Sequence, residues 1–307
     1  MSVSEAQGTS ALAALSDGLA TAVEIAGRSV VRVDGRRRQS ASGIIWSADG
    51  LIVTASHVVE RDEDVKIGLP DGSTVAAKLV GRDPGTDLAL LRAEKAVGTP
   101  IGKNTAARAG QLALIVARPF EGIMTSLGVV AAIGGAVRTV RGKLDGLIWT
   151  DATFYPGFSG APLVDATGSL VGVATSRFGG GQGTGAAIPL SVVETSIAAL
   201  LSHGRIKQGF LGVGSQLIAL PAALAQKLGR GEGSSALLIV SVEPDGPAEK
   251  AGFIVGDLLA ALDGQAVANT DELRDLLSPE RVGKTVTASI VRGGEPRDLS
   301  VTIGERS

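Results

Sequence analysis

The chain of 307 residues has no cysteine. That excludes disulfide bridges, thiolate metal sites and a cysteine nucleophile, and it leaves the redox compartment open. Aromatic residues are only 3% of the chain, so its core has to be built from Val, Leu, Ile and Ala. Net charge is close to balance at -2 with a pI near 5.8. An acidic balance with so few aromatics disfavours a nucleic-acid partner. The one basic run, Arg36-Arg37-Arg38, reads as a solvated loop. Residues 11–25 are apolar at helical spacing, but Asp17 and Glu24 interrupt them and the stretch is too short to span a bilayer. It reads as an amphipathic lead-in helix within residues 1–28 and not as a membrane anchor. Residues 1–8 show no positive segment followed by an apolar run. No signal peptide is visible, so the expected location is cytoplasmic for a full-length chain and periplasmic or otherwise extracytoplasmic for a trimmed one.

Glycine is plentiful, with 43 residues. From 29 to 188 short apolar, β-branched segments alternate with turn residues. They fall at 30–33, 43–46, 51–55, 65–69, 75–80, 88–92, 112–116, 128–133, 147–150 and 170–175. Turn signals such as Ala48-Asp49-Gly50, Pro70-Asp71-Gly72 and Asp165-Ala166-Thr167-Gly168 lie between them. Many short strands with glycine-rich turns predict an antiparallel sandwich or barrel. No helical pattern separates the strands, which removes a βαβ reading. The clusters Gly134-Gly135 and Gly179-Gly180-Gly181 with Gly183 and Gly185 read as mobile surface loops. Neither opens a helix, so neither suits a nucleotide phosphate.

The period turns helical over 189–201 and ends at His203-Gly204. The expected organisation is therefore a lead-in over 1–28, a β domain over 29–203, a connector over 204–208 and a second domain over 209–307. The second domain predicts a small helix at 221–228, a strand at 236–242, a helix at 270–277 capped by Asn269 or Thr270, and strands at 286–291 and 298–303. This is a small, partly open β-sandwich with two helices.

Three segments carry chemistry: Thr54-Ala55-Ser56-His57-Val58-Val59, Thr86-Asp87-Leu88-Ala89-Leu90-Leu91, and Tyr155-Pro156-Gly157-Phe158-Ser159-Gly160-Ala161-Pro162-Leu163. A serine hydroxyl is a poor nucleophile at neutral pH, so acyl transfer needs an imidazole to take its proton and a carboxylate to orient that imidazole. The chain has two histidines, and His57 precedes candidate carboxylates at Asp83, Asp87 and Asp151. The order His, Asp, Ser along the chain is that of chymotrypsin-like double barrels.

Together these blocks resemble the HtrA (Deg) family of trypsin-like serine proteases. Residues 43–59, the run Arg82-Asp83-Pro84-Gly85-Thr86-Asp87-Leu88-Ala89-Leu90-Leu91, and Gly185-Ala186-Ala187-Ile188-Pro189 extend the likeness. The second domain resembles a PDZ domain through Gly246-Pro247-Ala248-Glu249-Lys250-Ala251-Gly252 and Gly256-Asp257. The resemblance implies a mainly β chain, a chymotrypsin-like double β-barrel followed by a PDZ domain. It implies an ATP-independent endopeptidase of protein quality control that cuts unfolded or damaged polypeptides without a cofactor or metal. Ser159 is the implied nucleophile, His57 the base and Asp87 the orienting carboxylate, with the amides of Gly157 and Ser159 as the oxyanion hole. Phe154, Ala186, Ala187 and Ile188 are implied at a specificity pocket for small or medium aliphatic residues. Peptide C-termini are implied at Phe210, Leu211, Gly212 and Val213, against the helix bearing Leu273 and Leu277. Family members usually form trimers, so a homo-oligomer is implied. Two residues depart from the family pattern: Phe158 stands where an Asn is usual and Ala161 where a Gly is usual. They motivate an alternative reading as a catalytically weak or inactive peptide-binding chaperone or scaffold.

Overall fold

The computed structural model describes residues 3–305 apart from 37–38, 62–63, 96–97, 140–141, 179–184, 205–208 and 232. The chain divides into two compact units, Met1–Ile206 and Lys207–Ser307.

The first unit opens with helix α1 (Val3–Gly27). Six strands follow: β1 (Val30–Asp34), β2 (Ala41–Ile45), β3 (Leu51–Ala55), β4 (Val65–Gly68), β5 (Thr74–Asp83) and β6 (Leu88–Ala93). They close into a barrel in the order β1-β2-β3-β6-β5-β4. Next come β7 (Leu112–Ala117), β8 (Met124–Ile133), the hairpin β9 (Ala136–Thr139) and β10 (Gly142–Asp145), then β11 (Ile148–Thr150), β12 (Pro162–Val164), β13 (Leu170–Thr175) and β14 (Gly185–Pro189). A second closed barrel runs β11-β14-β13-β12-β7-β8. Helix α2 (Leu190–His203) ends on Gly204, whose left-handed backbone lets its N–H close onto the Leu200 carbonyl.

Strands β2 and β3 are buried at every position. Successive side chains point to opposite faces. Val31, Val33, Ile45, Ile52 and Leu91 fill the first barrel. The alternate residues Val30, Ile44, Val53 and Leu90 instead meet Leu114, Val116, Val173 and Ile188 of the second barrel, with Ala22 and Ala26 of α1 and Val193 and Ile197 of α2. The apolar runs are thus buried on both faces, which the sequence shows as missing alternation.

Several expectations shift in extent. Strands β5 and β8 both run to 10 residues, longer than their apolar cores, because barrel pairing extends into polar flanks. The 134–135 cluster is the lead into the β9–β10 hairpin: both glycines have positive φ, and the Gly135 carbonyl accepts from Gly146 N–H. Residues 179–181 and 183, Arg37 and Arg38, and the connector 205–208 lie outside the described residues.

The second unit holds β15 (Gly209–Phe210), β16 (Val213–Ala219), α3 (Ala222–Lys227), β17 (Ser235–Val242), α4 (Pro247–Lys250), β18 (Leu258–Leu262), β19 (Gln265–Ala266), α5 (Thr270–Leu276), β20 (Thr285–Arg292), β21 (Glu295–Thr302) and β22 (Gly304–Glu305). Strands run β16-β17-β18-β20-β21, which leaves β16 at an edge. Three helices are described where two were expected: the Pro247–Lys250 stretch, too short to show a helical period, is α4. The cap of α5 is Asn269, whose side chain accepts from the Asp271 and Glu272 amides.

The expected PDZ mark Gly256-Asp257 has a clear structural use. Asp257 is buried, Arg292 Nε and Nη2 each donate to it at 2.8 Å, and Ile254 N–H donates at 2.9 Å. Burial opposes its charge, but these donors outweigh the penalty and hold the carboxyl below its ordinary pKa. Folding therefore gains stability from this site above the unfolded Asp pKa of about 3.9, and loses it as pH falls through the depressed folded value. Asp257→Asn should destabilise the second unit by about 1–3 kcal/mol at pH 7. The figure is set below the roughly 3–5 kcal/mol of a fully buried pair because the Arg292 side chain keeps 26% exposure. Calorimetry should show the gap from wild type narrowing below about pH 4; equal transitions at pH 7 would refute the role given to this pair.

Candidate active site

Pairing of β3 with β6 places Ala55 opposite Leu88. His57, in the single 3-10 turn that follows β3, and Asp87, just before β6, therefore meet at neighbouring strand ends. The Asp87 backbone has φ of 60°, a left-handed conformation that Asp tolerates better than most residues. This turns its side chain under the imidazole. His57 Nδ1 lies 2.8 Å from Asp87 Oδ2, and His57 N–H donates to Oδ1 at 3.0 Å. Thr175, at the end of β13 in the other barrel, donates its hydroxyl to Oδ2 at 2.6 Å. Asp87 is fully buried, and these donors replace the water a buried carboxylate would otherwise need.

The other two acidic candidates serve the backbone. Asp83 accepts from Gly85 N–H at 3.0 Å and from the Thr86 hydroxyl at 2.6 Å, which shapes the turn into Asp87. Asp151 accepts from Val129 N–H at 2.7 Å. Among the described residues neither bonds His57.

Ser159 lies between β11 and β12, in a tight turn where Phe158 N–H donates to the Tyr155 carbonyl at 3.1 Å and Ala161 N–H to the Phe158 carbonyl at 3.0 Å. Gly157 has φ of 88° and Gly160 of 85°. A Cβ at Gly157 would collide with Pro119, and one at Gly160 with the Ser42 carbonyl and Thr54 Oγ1. The amides of Gly157 and Ser159 have no protein acceptor among the described residues, whereas those of Phe158, Gly160 and Ala161 are all bonded. Unbonded N–H groups on either side of Phe158, one of them the serine's own, are the donors an oxyanion hole uses. The Ser159 hydroxyl lies 3.1 Å from Ser176 Oγ; its bond to His57 is not among those of the described residues.

Phe158 is fully buried inside the second barrel with Ala161, Ile115 and Leu163. Its ring packs edge-on to Tyr155 at 5.3 Å and tilted to Phe154 at 6.5 Å. The bulky residue is thus directed into the core beneath the turn. Phe154 and Ala187 belong to this same cluster, and Gly185 packs directly on the Phe154 ring. Ile188, one residue on, points the opposite way into the core between the barrels. Strand alternation therefore does not bring Ile188 together with Phe154. Ala186 is buried and paired with both Trp149 and Thr175.

In the second unit the side chains of Leu211 and Leu273 are core, 2% and 6% exposed, while Leu277 is partly buried against the same cluster. Gly212 is left-handed at φ 78°. The Leu211 and Gly212 amides have no protein acceptor among the described residues, although the two carbonyls are bonded to Ala248 N–H and Glu243 N–H. Phe210 pairs with Gly304, and Val213 starts edge strand β16 opposite Val242.

The sequence did not single out Thr175, Ser176, Ser42 or Arg118. Each reads as an ordinary polar residue at a strand end or within a strand, and no spacing rule marks it. Among the described residues no group of three or more His, Asp or Glu side chains is placed to hold a metal ion.

A family model of trypsin-like peptidase domains matches residues 41–173, and one of PDZ domains matches 209–303. The chain is 30% identical over 284 residues to a putative serine protease HhoB of Synechocystis sp. (strain ATCC 27184 / PCC 6803 / Kazusa), covering 88% of this chain and 68% of that protein. Similarity to a solved HtrA-type protease, AlgW with tripeptide, has a TM-score of 0.70 at 32% identity, over 94% of this chain and 97% of the other. This chain belongs to the HtrA family of serine proteases. It is also 35% identical over 279 residues to a probable periplasmic serine endoprotease DegP-like of Marinomonas sp. (strain MWYL1), covering 89% of this chain. The HtrA chain spans 58% of that relative's length. The expectation of a cytoplasmic location is corrected here: this relative and those from Halomonas elongata and Chlamydia trachomatis are all named periplasmic. Among the described residues no helix is long and apolar enough to cross a membrane.

Gly160→Ala should destabilise the first unit by about 2–3 kcal/mol, since a methyl group there is both left-handed and overpacked. A lowered calorimetric transition for that unit is expected, and an unchanged one would contradict the close approach of β2 to the turn.

Proposed function

We propose that this protein is an HtrA-type serine endopeptidase that hydrolyses peptide bonds in unfolded or damaged polypeptides in the periplasm. The observation that carries the reading is the His57–Asp87 contact of 2.8 Å beside a serine turn with two unbonded amides. In the step we propose, the Ser159 hydroxyl leaves Ser176 for His57 Nε2 and attacks the scissile carbonyl as the imidazole takes its proton. Asp87, held by Thr175, keeps the Nδ1–H tautomer in place and stabilises the imidazolium that forms. The oxygen of the tetrahedral intermediate receives the Gly157 and Ser159 N–H groups. The proton on His57 then goes to the leaving amine, and water repeats the sequence to release the acyl group.

The idle-scaffold alternative drew on Phe158 and Ala161. Both side chains are buried in the barrel core, which supports a working turn. For the second unit we propose capture of a peptide C-terminus: its carboxylate would take the Leu211 and Gly212 amides while its backbone adds a strand to the edge of β16. The partly buried Leu277 would border that groove, with Leu273 as support beneath it.

Ser159→Ala should lower casein hydrolysis by about 10⁴-fold or more, and a fluorophosphonate probe should label wild type but not the variant. Retained hydrolysis would remove Ser159 from the nucleophile role. Fluorescence anisotropy should show a peptide with a free C-terminal carboxylate binding at least about tenfold more tightly than its amidated form; equal affinity would exclude carboxylate capture.

A further inference from the structure

Ser42 lies in β2 of the first barrel, fully buried and opposite Arg32 of β1. Its hydroxyl and its N–H both reach the nucleophile turn. Its hydroxyl donates to the Gly157 carbonyl at 2.9 Å and accepts from Arg118 N–H at 2.9 Å. Its own N–H donates to the Ser159 carbonyl at 3.2 Å, and its carbonyl accepts from the Thr54 hydroxyl at 2.7 Å. One residue of the first barrel therefore grips both carbonyls that flank Phe158 in the nucleophile turn of the second.

An oxyanion hole is made of N–H groups, and each N–H shares a rigid plane with the carbonyl of the preceding residue. The bond to the Gly157 carbonyl therefore fixes the plane between Gly157 and Phe158, and the bond to the Ser159 carbonyl fixes the plane between Ser159 and Gly160. The peptide between them carries the Ser159 N–H and runs from the Cα of Phe158 to the Cα of Ser159, so both of its ends are pinned. The Cα of Gly157, a residue otherwise free to adopt a wide range of φ and ψ, is anchored by the first of these planes. The Arg118 amide completes the arrangement: by filling the acceptor site of the Ser42 hydroxyl, it leaves the hydroxyl proton directed at Gly157. Arg118 is itself anchored, since its guanidinium donates to the Gly27, Val30 and Glu121 carbonyls at 3.0, 2.7 and 2.8 Å.

We propose that Ser42 is a positioning residue for the oxyanion hole, pinning from the opposite barrel the two peptide planes that bracket the one carrying the Ser159 N–H and anchoring the Cα of Gly157. The proposal rests on the protease reading above. Ser42 touches no reacting atom, so its removal should affect the transition state and leave both substrate binding and the pH profile of the reaction alone.

The test compares Ser42→Ala and the near-isosteric Ser42→Cys, whose thiol is a weak donor, with wild type in the full chain. With a chromogenic peptide substrate and active-site titration, kcat per labelled site should fall about 10–100-fold in both variants, below the loss of about 10²–10³-fold for deleting an oxyanion donor outright. KM should stay within about twofold, and the acidic limb of the kcat/KM profile should not move. A peptide boronic acid, which places a hydroxyl in the oxyanion position, should lose affinity by the same factor as kcat. If kcat per labelled site is unchanged in the variants, or if the loss appears in KM rather than in kcat, the positioning role is wrong. Should Ser42→Ala not fold, the cysteine variant carries the same comparison. A wild-type chain that neither labels nor cleaves would overturn the protease reading itself, whereas a reactive wild type matched by both variants would overturn only the role of Ser42.

Discussion

The apolar layer between the two barrels is the constraint on which the rest of the first unit depends. Val30, Ile44, Val53 and Leu90 from one barrel pack there against Leu114, Val116, Val173 and Ile188 from the other, and α1 and α2 close its margins. Each barrel has its own interior as well. Buried aliphatic side chains contribute about 1.5–3 kcal/mol each, so the layer holds the barrels in a single relative position. The site straddles that junction. His57 and Asp87 belong to the first barrel, and Ser159, Thr175 and Ser176 to the second.

Polar groups at the junction follow from the same packing. A buried carboxylate is costly unless fully bonded, and Asp87 meets that demand with two donors from His57 and one from Thr175 across the junction. The nucleophile turn is bound in the same way, through Ser42. Tight turns without Cβ atoms at Gly157 and Gly160 let β2 and Pro119 approach closely enough for these bonds to form. Apolar burial and hydrogen bonding are therefore coupled: a shift between the barrels would unpair Asp87 and Gly157 together.

Much of this was legible in the chain. Strands β1, β3 and β13 coincide with apolar, β-branched runs bounded by turn residues, and the helical period over 189–201 became α2. What escaped is local and physical. The β9–β10 hairpin was hidden by two glycines that look like a loop but supply the left-handed turns leading into it. Strand β12, three residues long, is too short to show a period, and so is α4. The side chain of Leu273, expected against the peptide, lies in the core, because an apolar residue beside a groove has the same sequence signature as one beneath it; the role expected of Leu211 is that of its backbone amide. Ile188 was grouped with Phe154 by the family resemblance, and the two-residue alternation of β14 directs it into the core between the barrels.

The sequence by itself determined the strand pattern, the two-part organisation and the order of His57, Asp87 and Ser159, since periodicity and turn chemistry are local properties. Only the tertiary structure decided that Phe158 points into the barrel core, that Asp83 and Asp151 serve turns, and that Ser42, Thr175 and Ser176 complete the site. The reason is that a hydroxyl or carboxylate in a strand has no character of its own until its partner is known. For Ser42 that partner is a carbonyl 115 residues away, brought within reach by an apolar layer to which Ser42 adds no hydrophobic surface.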